Sequence, residues 1–204
     1  MPKHQNALKA LTEDPYVEYW GELGRFIHYF SRTEHTLKRL LQTLAGTSDE
    51  VSGAIFIGVR MGTAKDHINR ILEAKGDAVA KNRLEGPFAQ LGVIGGVRDN
   101  LVHWGAEHEG TDDLLVSNAR QSPGPGRVRE YRVSPRDLVA MTEDLVRINM
   151  FLVVTMRPLD DDERIWGQYL GQPWRYKSPQ QAPPKKGTRA RRRARLLQPD
   201  ASQN

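Results

Sequence analysis

Three residues suited to acid–base and phosphate chemistry stand close together in GGVRDNLVHWG, residues 95–105: Arg98, Asp99 and His103. A histidine moves protons near neutral pH, and a guanidinium binds phosphate oxygens and stabilises charge on them. Asp99 and His103 are four residues apart, so on a helix they share a face and lie within reach of a carboxylate–imidazole hydrogen bond. The pattern indicates chemistry on a phosphodiester, with Arg98 holding the phosphate and His103 as general acid or base.

Arg98 falls within the apolar arc of the helix on which this segment ends. Burying an unpaired guanidinium costs several kcal/mol, so Arg98 is expected to have an ion-pair partner or a functional role. Arg98 and His103 are about 140° apart around a helix. They converge only if the arginine reaches back or if a second copy of the helix supplies the missing partner. Glu34, in the apolar arc of the first helix, is the predicted ion-pair partner of Arg98; alternatively it lies near the end of the bundle and is solvated.

A simpler interpretation remains open at this point. In that interpretation Arg98 forms an ion pair with a purely structural role, and His103 is an ordinary histidine at a helix end. An arginine and a histidine five residues apart also occur together by chance. His28 and His35 on the first helix lack a carboxylate at metal-ligand spacing, so the sequence predicts neither a metal nor a cofactor.

Apolar residues at helical spacing, helix caps and turn residues together predict the fold. The first helix runs from an Asp14 cap to Gly46, and the fourth, from about Asp77, contains Pro87, which predicts a kink or a break. The predicted helices span about residues 14–46, 48–60, 63–76, 77–103 and 134–157. Strand-like segments around the turn QSPGPG add a β-hairpin at about 112–134. The prediction is an all-α helical bundle of four to five helices, with the hairpin inserted before the last helix.

The predicted organisation is an N-terminal extension (1–13), the helical domain (14–157), a short packing arm (158–174) and a disordered basic tail (175–204). The tail has nine Lys or Arg against one Asp, a net of +8, so the first 174 residues carry −3 within the total of +5. Such a tail grips nucleic-acid phosphates, is simply solvated or lies on an acidic membrane surface. The candidate RNA-binding cations are Lys185, Lys186, Arg189, Arg191, Arg192, Arg193 and Arg195.

The composition excludes several classes of chemistry. The 204 residues include no cysteine, which excludes disulfides and thiolate catalysis. No run approaches the roughly 20 apolar residues of a membrane span, and the N-terminus lacks a signal-peptide core. The expected location is therefore the cytoplasm. The glycines of GVIGGVR lack the order of a phosphate loop and indicate close helix packing.

The segment RDNLVH resembles the R-x4–6-H motif of HEPN domains, in which Asn, Asp or His typically follows the arginine. Arg98, Asp99 and His103 match the motif, with Asn100, Leu101 and Val102 completing the four-residue spacer. The helix containing FSRTEHTLKRLLQTLAG is similar to the opening helix of such proteins. The resemblance covers about residues 15–157.

HEPN proteins are helical bundles that dimerise so that two motifs meet in one cleft, and many are metal-independent endoribonucleases of toxin–antitoxin, phage-defence or CRISPR-associated systems. The resemblance implies RNA as substrate, a homodimer formed through the helix carrying 98–103, and an antitoxin as a further partner. Arg98, His103 and Asp99 become the catalytic residues, supported by Glu34 and Asn100. The alternative is a non-catalytic helical module that binds RNA or a partner protein such as an antitoxin.

Overall fold

A computed structural model describes residues 16–104, 106–108, 113–119, 121, 128–156, 167 and 171–178 of the chain. Within these ranges lie five helices and three short strands. The helices are α1 (Val17–Ala45), α2 (Asp49–Phe56), α3 (Met61–Ala74), α4 (Ala78–His103) and α5 (Pro135–Met156). The strands, between α4 and α5, are β1 (Ala106–His108), β2 (Leu114–Ser117) and β3 (Glu130–Val133). The N-terminal extension, the Asp14 cap, most of the QSPGPG turn and the basic segment 185–195 lie outside the described residues.

The helix boundaries follow the capping residues of the sequence. Gly46 and Gly76, just beyond α1 and α3, have φ of 66° and 69°, a backbone conformation that glycine adopts without a steric penalty. Asp77 caps α4 by accepting a hydrogen bond from the backbone N–H of Ala80 at 2.9 Å. Ser48 caps α2 through the N–H of Val51.

Helix α4 is continuous through Pro87, so the predicted break does not occur. A proline in a helix interior removes one hydrogen bond and costs about 3 kcal/mol. Pro87 is buried, as are Leu84, Phe88 and Leu91 around it, and burial of this apolar surface offsets that cost. Twenty-six residues therefore form one uninterrupted helix.

A reciprocal cap fixes the start of α5. Ser134 Oγ accepts from the N–H of Asp137 at 3.1 Å, and Asp137 Oδ2 accepts from the N–H of Ser134 at 2.9 Å. The helix reaches at least Met156, and its predicted end before Pro158 lies next to residues outside the described ranges. The sheet that follows the candidate site is therefore itself followed by a helix with a well-defined first turn.

The strands form one antiparallel sheet in the order β1-β2-β3. Ala106 of β1 pairs with Val116 of β2, and Leu114 of β2 pairs with Val133 of β3. The predicted hairpin corresponds to β2 and β3, while β1 is an additional strand that begins immediately after α4. The prediction of a helical bundle with β structure before the last helix is confirmed.

Helices α1 and α5 form the centre of the bundle, with α3 packed on α1 and α4 packed on α5 and α3. The largest fully buried side chains come from all of these helices and from β2: Tyr19, Phe26, Leu37, Leu40, Leu41, Ile68, Leu72, Leu84, Leu91, Ile94, Leu114 and Leu138. None of the helices in the described ranges combines the length and apolarity required to cross a membrane.

Candidate active site

The R-x4-H segment occupies the last turns of α4 and the junction with the sheet. The helix ends at His103, and the N–H of Trp104 still donates to the carbonyl of Asn100 at 2.9 Å. Strand β1 starts two residues later, at Ala106. The candidate residues therefore sit where a long helix meets a sheet, and contacts on both sides can fix their backbone.

Arg98 is half-buried, with 32% of its side chain exposed. Its Nη1 donates to Asp99 Oδ1 at 3.0 Å, and its guanidinium carbon lies 5.5 Å from the centre of the Phe30 ring on α1. Its Nε atom is buried without a hydrogen-bond partner among the described residues. Arg98 is thus held by one carboxylate and one aromatic face while keeping contact with solvent.

The predicted ion pair between Glu34 and Arg98 does not form in the part of the chain that the structure describes. Phe30, one helical turn before Glu34, is the α1 residue that meets the guanidinium. Asp99 supplies the carboxylate from the neighbouring position on α4. Pairing with an exposed aspartate requires less desolvation of the two charges than pairing with the half-buried Glu34.

Asp99 and His103 are both exposed, on the same side of α4. The predicted carboxylate–imidazole hydrogen bond is absent among the described contacts, and Asp99 Oδ1 accepts from Arg98. The backbone carbonyl of His103 accepts a short hydrogen bond from Gln121 Nε2. The imidazole has no partner within the described residues and faces solvent.

Arg98 and His103 point in different directions within one chain. The five-residue spacing separates them by about 140° around α4. Arg98 packs towards Phe30 on α1, whereas His103 lies on the exposed side of α4. A single copy of the chain therefore does not bring the two side chains together, and the predicted second copy remains a prediction.

Asn100 anchors the segment to the sheet. Its Nδ2 donates to the Tyr131 hydroxyl on β3 at 3.0 Å, and the Tyr131 ring packs edge-on against Trp104. Burial raises the pKa of Tyr131, and the hydrogen bond from Asn100 acts in the opposite direction. Sequence reasoning missed Tyr131, because no local pattern links residues 31 positions apart.

The exposed face of α4 that ends at Asp99 and His103 consists of small side chains. We call it the small-residue face; its members before Asp99 are Ala89, Gly92, Val93 and Gly96. A Cβ built on Gly96 meets no atom within 4 Å, so that glycine opens to solvent. A Cβ on Gly95 would come within 2.6 Å of Met61 Cε in the interior. The predicted close helix packing therefore applies to Gly95 within this chain but not to Gly96.

Lys65 of α3 lies beside this face and was not predicted. Its Nζ donates to the carbonyl of Phe88 at 3.2 Å and lies 3.4 Å from the position of a Gly92 Cβ. Burial lowers its pKa, and the nearby Asp66 partly counteracts the shift. A cation next to the small-residue face suits an anionic ligand or partner.

An aromatic cluster fixes the strand that follows the site. The His108 ring stacks on Tyr16 with centroids 3.4 Å apart, and Tyr19 and Trp20 meet it edge-on at 5.4 Å. Both ring nitrogens of His108 are buried and lack a hydrogen-bond partner among the described residues. The cluster ties β1 to the start of α1 and so restrains the end of α4.

The other histidines that sequence reasoning considered, His28 and His35, are exposed on α1. No group of three or more potential metal ligands occurs among the described residues. Comparison of the chain with protein-family models, curated proteins and solved structures finds no match. The HEPN resemblance therefore depends on the residues of the motif and on their placement near the end of a bundle helix.

Proposed function

We propose that this chain is a HEPN-like, metal-independent endoribonuclease that acts as a homodimer. The observation that carries the proposal is the placement of His103 and Asp99 at the end of the small-residue face, with half-exposed Arg98 beside them. Two α4 helices meeting through their small-residue faces approach closely, because Gly96 and Ala89 present little side chain. Such an arrangement brings the motif of one copy towards that of the other.

The proposed reaction uses the RNA itself as nucleophile. The 2′-oxygen attacks the adjacent phosphorus while the neutral imidazole of His103 accepts the 2′-hydroxyl proton. The bond from phosphorus to the 5′-oxygen breaks, and the protonated imidazole of His103 of the partner subunit donates a proton to that oxygen. The products are a 2′,3′-cyclic phosphate and a 5′-hydroxyl. Arg98 binds the non-bridging oxygens and stabilises their charge in the transition state.

Asp99 and Asn100 position these groups. Asp99 holds the Arg98 guanidinium, and Asn100 fixes the helix end on β3 through Tyr131. Glu34 is half-buried on α1, one turn beyond Phe30, and makes no ion pair with Arg98 among the described residues, so it has no role in the proposed reaction. The resemblance to HEPN toxins and phage-defence effectors, not a contact in the structure, supports a biological role of that kind and an antitoxin as partner.

The test is cleavage of a single-stranded RNA in EDTA by the wild type, by His103→Ala and by a chain truncated after Ser178. The exposed position of His103 makes a folding defect in the alanine variant small. We expect the wild type and the truncated chain to cleave and His103→Ala to lose at least about a hundredfold in rate. Equal cleavage by wild type and His103→Ala would contradict the proposal.

A specific observation favours the alternative of a non-catalytic binding module. Nη1 of Arg98 is already engaged by Asp99, and its guanidinium lies on Phe30, as in a structural ion pair. RNA binding without cleavage in the same assay, unaffected by His103→Ala, would support that alternative.

A further inference from the structure

Residues Gly171–Ser178, which we call the strap, dock against α4 and α5. The sequence predicts a packing arm that ends at Trp174 and a disordered tail from Arg175. Tyr176 is instead buried, with only 3% of its surface exposed, and it belongs to the same core as the helices. The packed structure therefore extends past the predicted boundary.

A buried carboxylate holds the strap by its main chain. Asp144 of α5, 1% exposed, accepts from the N–H groups of Arg175 and Tyr176, each at 2.9 Å. It also accepts from Gln90 Nε2 of α4 at 2.8 Å, and the same Gln90 nitrogen donates to the carbonyl of Tyr176 at 3.0 Å. Hydrogen bonds to a carboxylate in the interior are strong and directional, so these contacts fix the backbone of the strap at Tyr176.

Side chains hold the strap at its upstream end. The Arg147 guanidinium lies 4.0 Å from the Trp174 ring centre, and its Nη1 donates to the carbonyl of Pro173 at 3.1 Å. Phe151 packs on the same indole with centroids 6.2 Å apart. The strap is thus attached at two successive points, and the Tyr176 side chain has a defined place in the fold.

The Tyr176 side chain lies towards the start of α5 and the sheet. Burial raises the pKa of Tyr176 to about 12, and the charges of Asp137 and Tyr131 add to the shift, so both groups lie near it. Asp137 is in the first turn of α5, about 10 Å along the helix from Asp144. Tyr131 of β3 packs against the core cluster that contains Tyr176. The phenol of the strap therefore extends from the middle of α5 to the neighbourhood of β3.

Tyr131 connects this position to the candidate site. Its hydroxyl accepts from Asn100 Nδ2 at 3.0 Å, and its ring packs edge-on against Trp104. Asn100 and Trp104 are one turn apart, and the N–H of Trp104 donates to the carbonyl of Asn100 at 2.9 Å. His103 lies between them in the last turn of α4. A displacement of Tyr131 would therefore loosen the turn that carries His103.

We propose that Tyr176 is a positioning residue for the candidate site. The docked strap places the Tyr176 side chain next to Tyr131, which keeps Tyr131 in contact with Asn100 and Trp104 and so holds the end of α4. This inference rests on the proposed function for the role of His103, whereas the coupling between the strap and the helix end is a property of the fold. Tyr176 acts through Tyr131, and no contact with RNA is assigned to it.

Amide hydrogen exchange measures this coupling without RNA. The N–H of Trp104 closes the last turn of α4. The N–H of Lys75 closes that of α3 by donating to the carbonyl of Ile71 at 2.9 Å, and α3 makes no described hydrogen bond to the strap. Amides at helix ends exchange through local opening, so their rates report local restraint. We expect Tyr176→Ala to raise the exchange rate of the Trp104 amide at least about tenfold and that of Lys75 less than about threefold.

Three further variants identify the route of the coupling. Tyr176→Phe keeps the ring and should retain slow exchange at Trp104. Trp174→Ala undocks the strap without altering Tyr176 and should reproduce Tyr176→Ala; retained circular dichroism shows that each variant folds. Tyr131→Ala should itself speed exchange at Trp104, and adding Trp174→Ala should then change the rate by less than about twofold. Unchanged exchange at Trp104 in a folded Trp174→Ala variant, or equal acceleration at Trp104 and Lys75, would overturn the proposal.

RNA cleavage separates this inference from the proposed function. Trp174→Ala should lower kcat at least about fivefold and change KM less than about twofold, because the strap positions the site without binding RNA. Unchanged kcat in that variant, with an active wild type, contradicts the positioning role. The expected exchange pattern in a wild type that cleaves no RNA would instead reject the ribonuclease and support the coupling.

Discussion

At the scale of single residues, the site combines one restrained arginine with one exposed histidine. Arg98 is placed by Asp99 and Phe30, whereas the backbone of His103 is placed by the helix end and Gln121. The sequence singled out Arg98 and His103 as a candidate pair, but it did not indicate the partner of Arg98. Glu34 and Phe30 both lie on the inner side of α1, and only the position of α4 in the bundle decides which one meets the guanidinium.

The hydrogen bond between Asn100 and Tyr131 tests how firmly the site is anchored. Removing either partner leaves the other without its hydrogen bond, so we expect Asn100→Ala and Tyr131→Phe each to lower the free energy of unfolding by about 1 kcal/mol. Urea denaturation of the wild type, both single variants and the double variant measures the coupling. A coupling of about 0.5–1.5 kcal/mol is expected, and a value near zero would refute the anchoring role.

At the scale of elements, α4 carries the whole candidate site on one helix, with a buried side and a small-residue face. Capping residues allowed its ends to be predicted within a residue, because caps act locally. Pro87 predicted a kink or a break, and the break does not occur, since the burial around Pro87 is not visible in the local sequence. The three-residue strand β1 was also missed, because it is defined by pairing with β2 rather than by its own composition.

Two adjacent glycines of α4 face in different directions: Gly95 is buried, and Gly96 is exposed to solvent. Gly96→Ala should raise the free energy of unfolding by about 0.5–1 kcal/mol through helix propensity. Gly95→Ala should raise it less, because Met61 must move to admit the new Cβ. Urea denaturation of both variants measures the difference.

The oligomeric state is tested at the same position. Gly96→Arg fills the small-residue face and should convert a homodimer to a monomer while leaving the fold intact. Sedimentation of Gly96→Arg, with Gly96→Ala as the matched control, measures this. A dimer that survives Gly96→Arg would place the interface elsewhere.

At the scale of the whole molecule, an acidic body is followed by a basic tail. The strap, residues Gly171–Ser178, joins them, and the buried Asp144 and Gln90 bond to its main chain. Composition predicted the separation of charge. It did not predict the strap, because Asp144, Gln90 and Tyr176 are distant in sequence and each is unremarkable among its neighbours. Polar residues buried across such separations are recognisable only once the helices that carry them are packed together.

Alkaline pH should release the strap and destabilise the protein. Burial, assisted by the charges of Asp137 and Tyr131, raises the pKa of Tyr176 from 10.0 to about 12, and a hydrogen bond from Ser178 partly opposes the shift. The unfolded chain ionises first, so the stability present below pH 10 is lost as the pH rises towards 12, by up to roughly 2–3 kcal/mol. Burial also raises the pKa of Tyr19, which acts in the same direction.

Unfolding free energies measured at about pH 9 and about pH 11.5 give the size of this loss of stability. Tyr176→Phe should reduce it, and an identical loss in that variant would assign the effect to other groups.

The buried position of Asp144 also has a consequence for truncation of the protein. A chain cut at Met156 would contain all five described helices, yet Asp144 would lose its two main-chain donors, the N–H groups of Arg175 and Tyr176. Hydrogen bonds to a charged group contribute more to stability than those between neutral groups. We therefore expect the cut chain to unfold at a lower denaturant concentration than a chain that ends after Ser178.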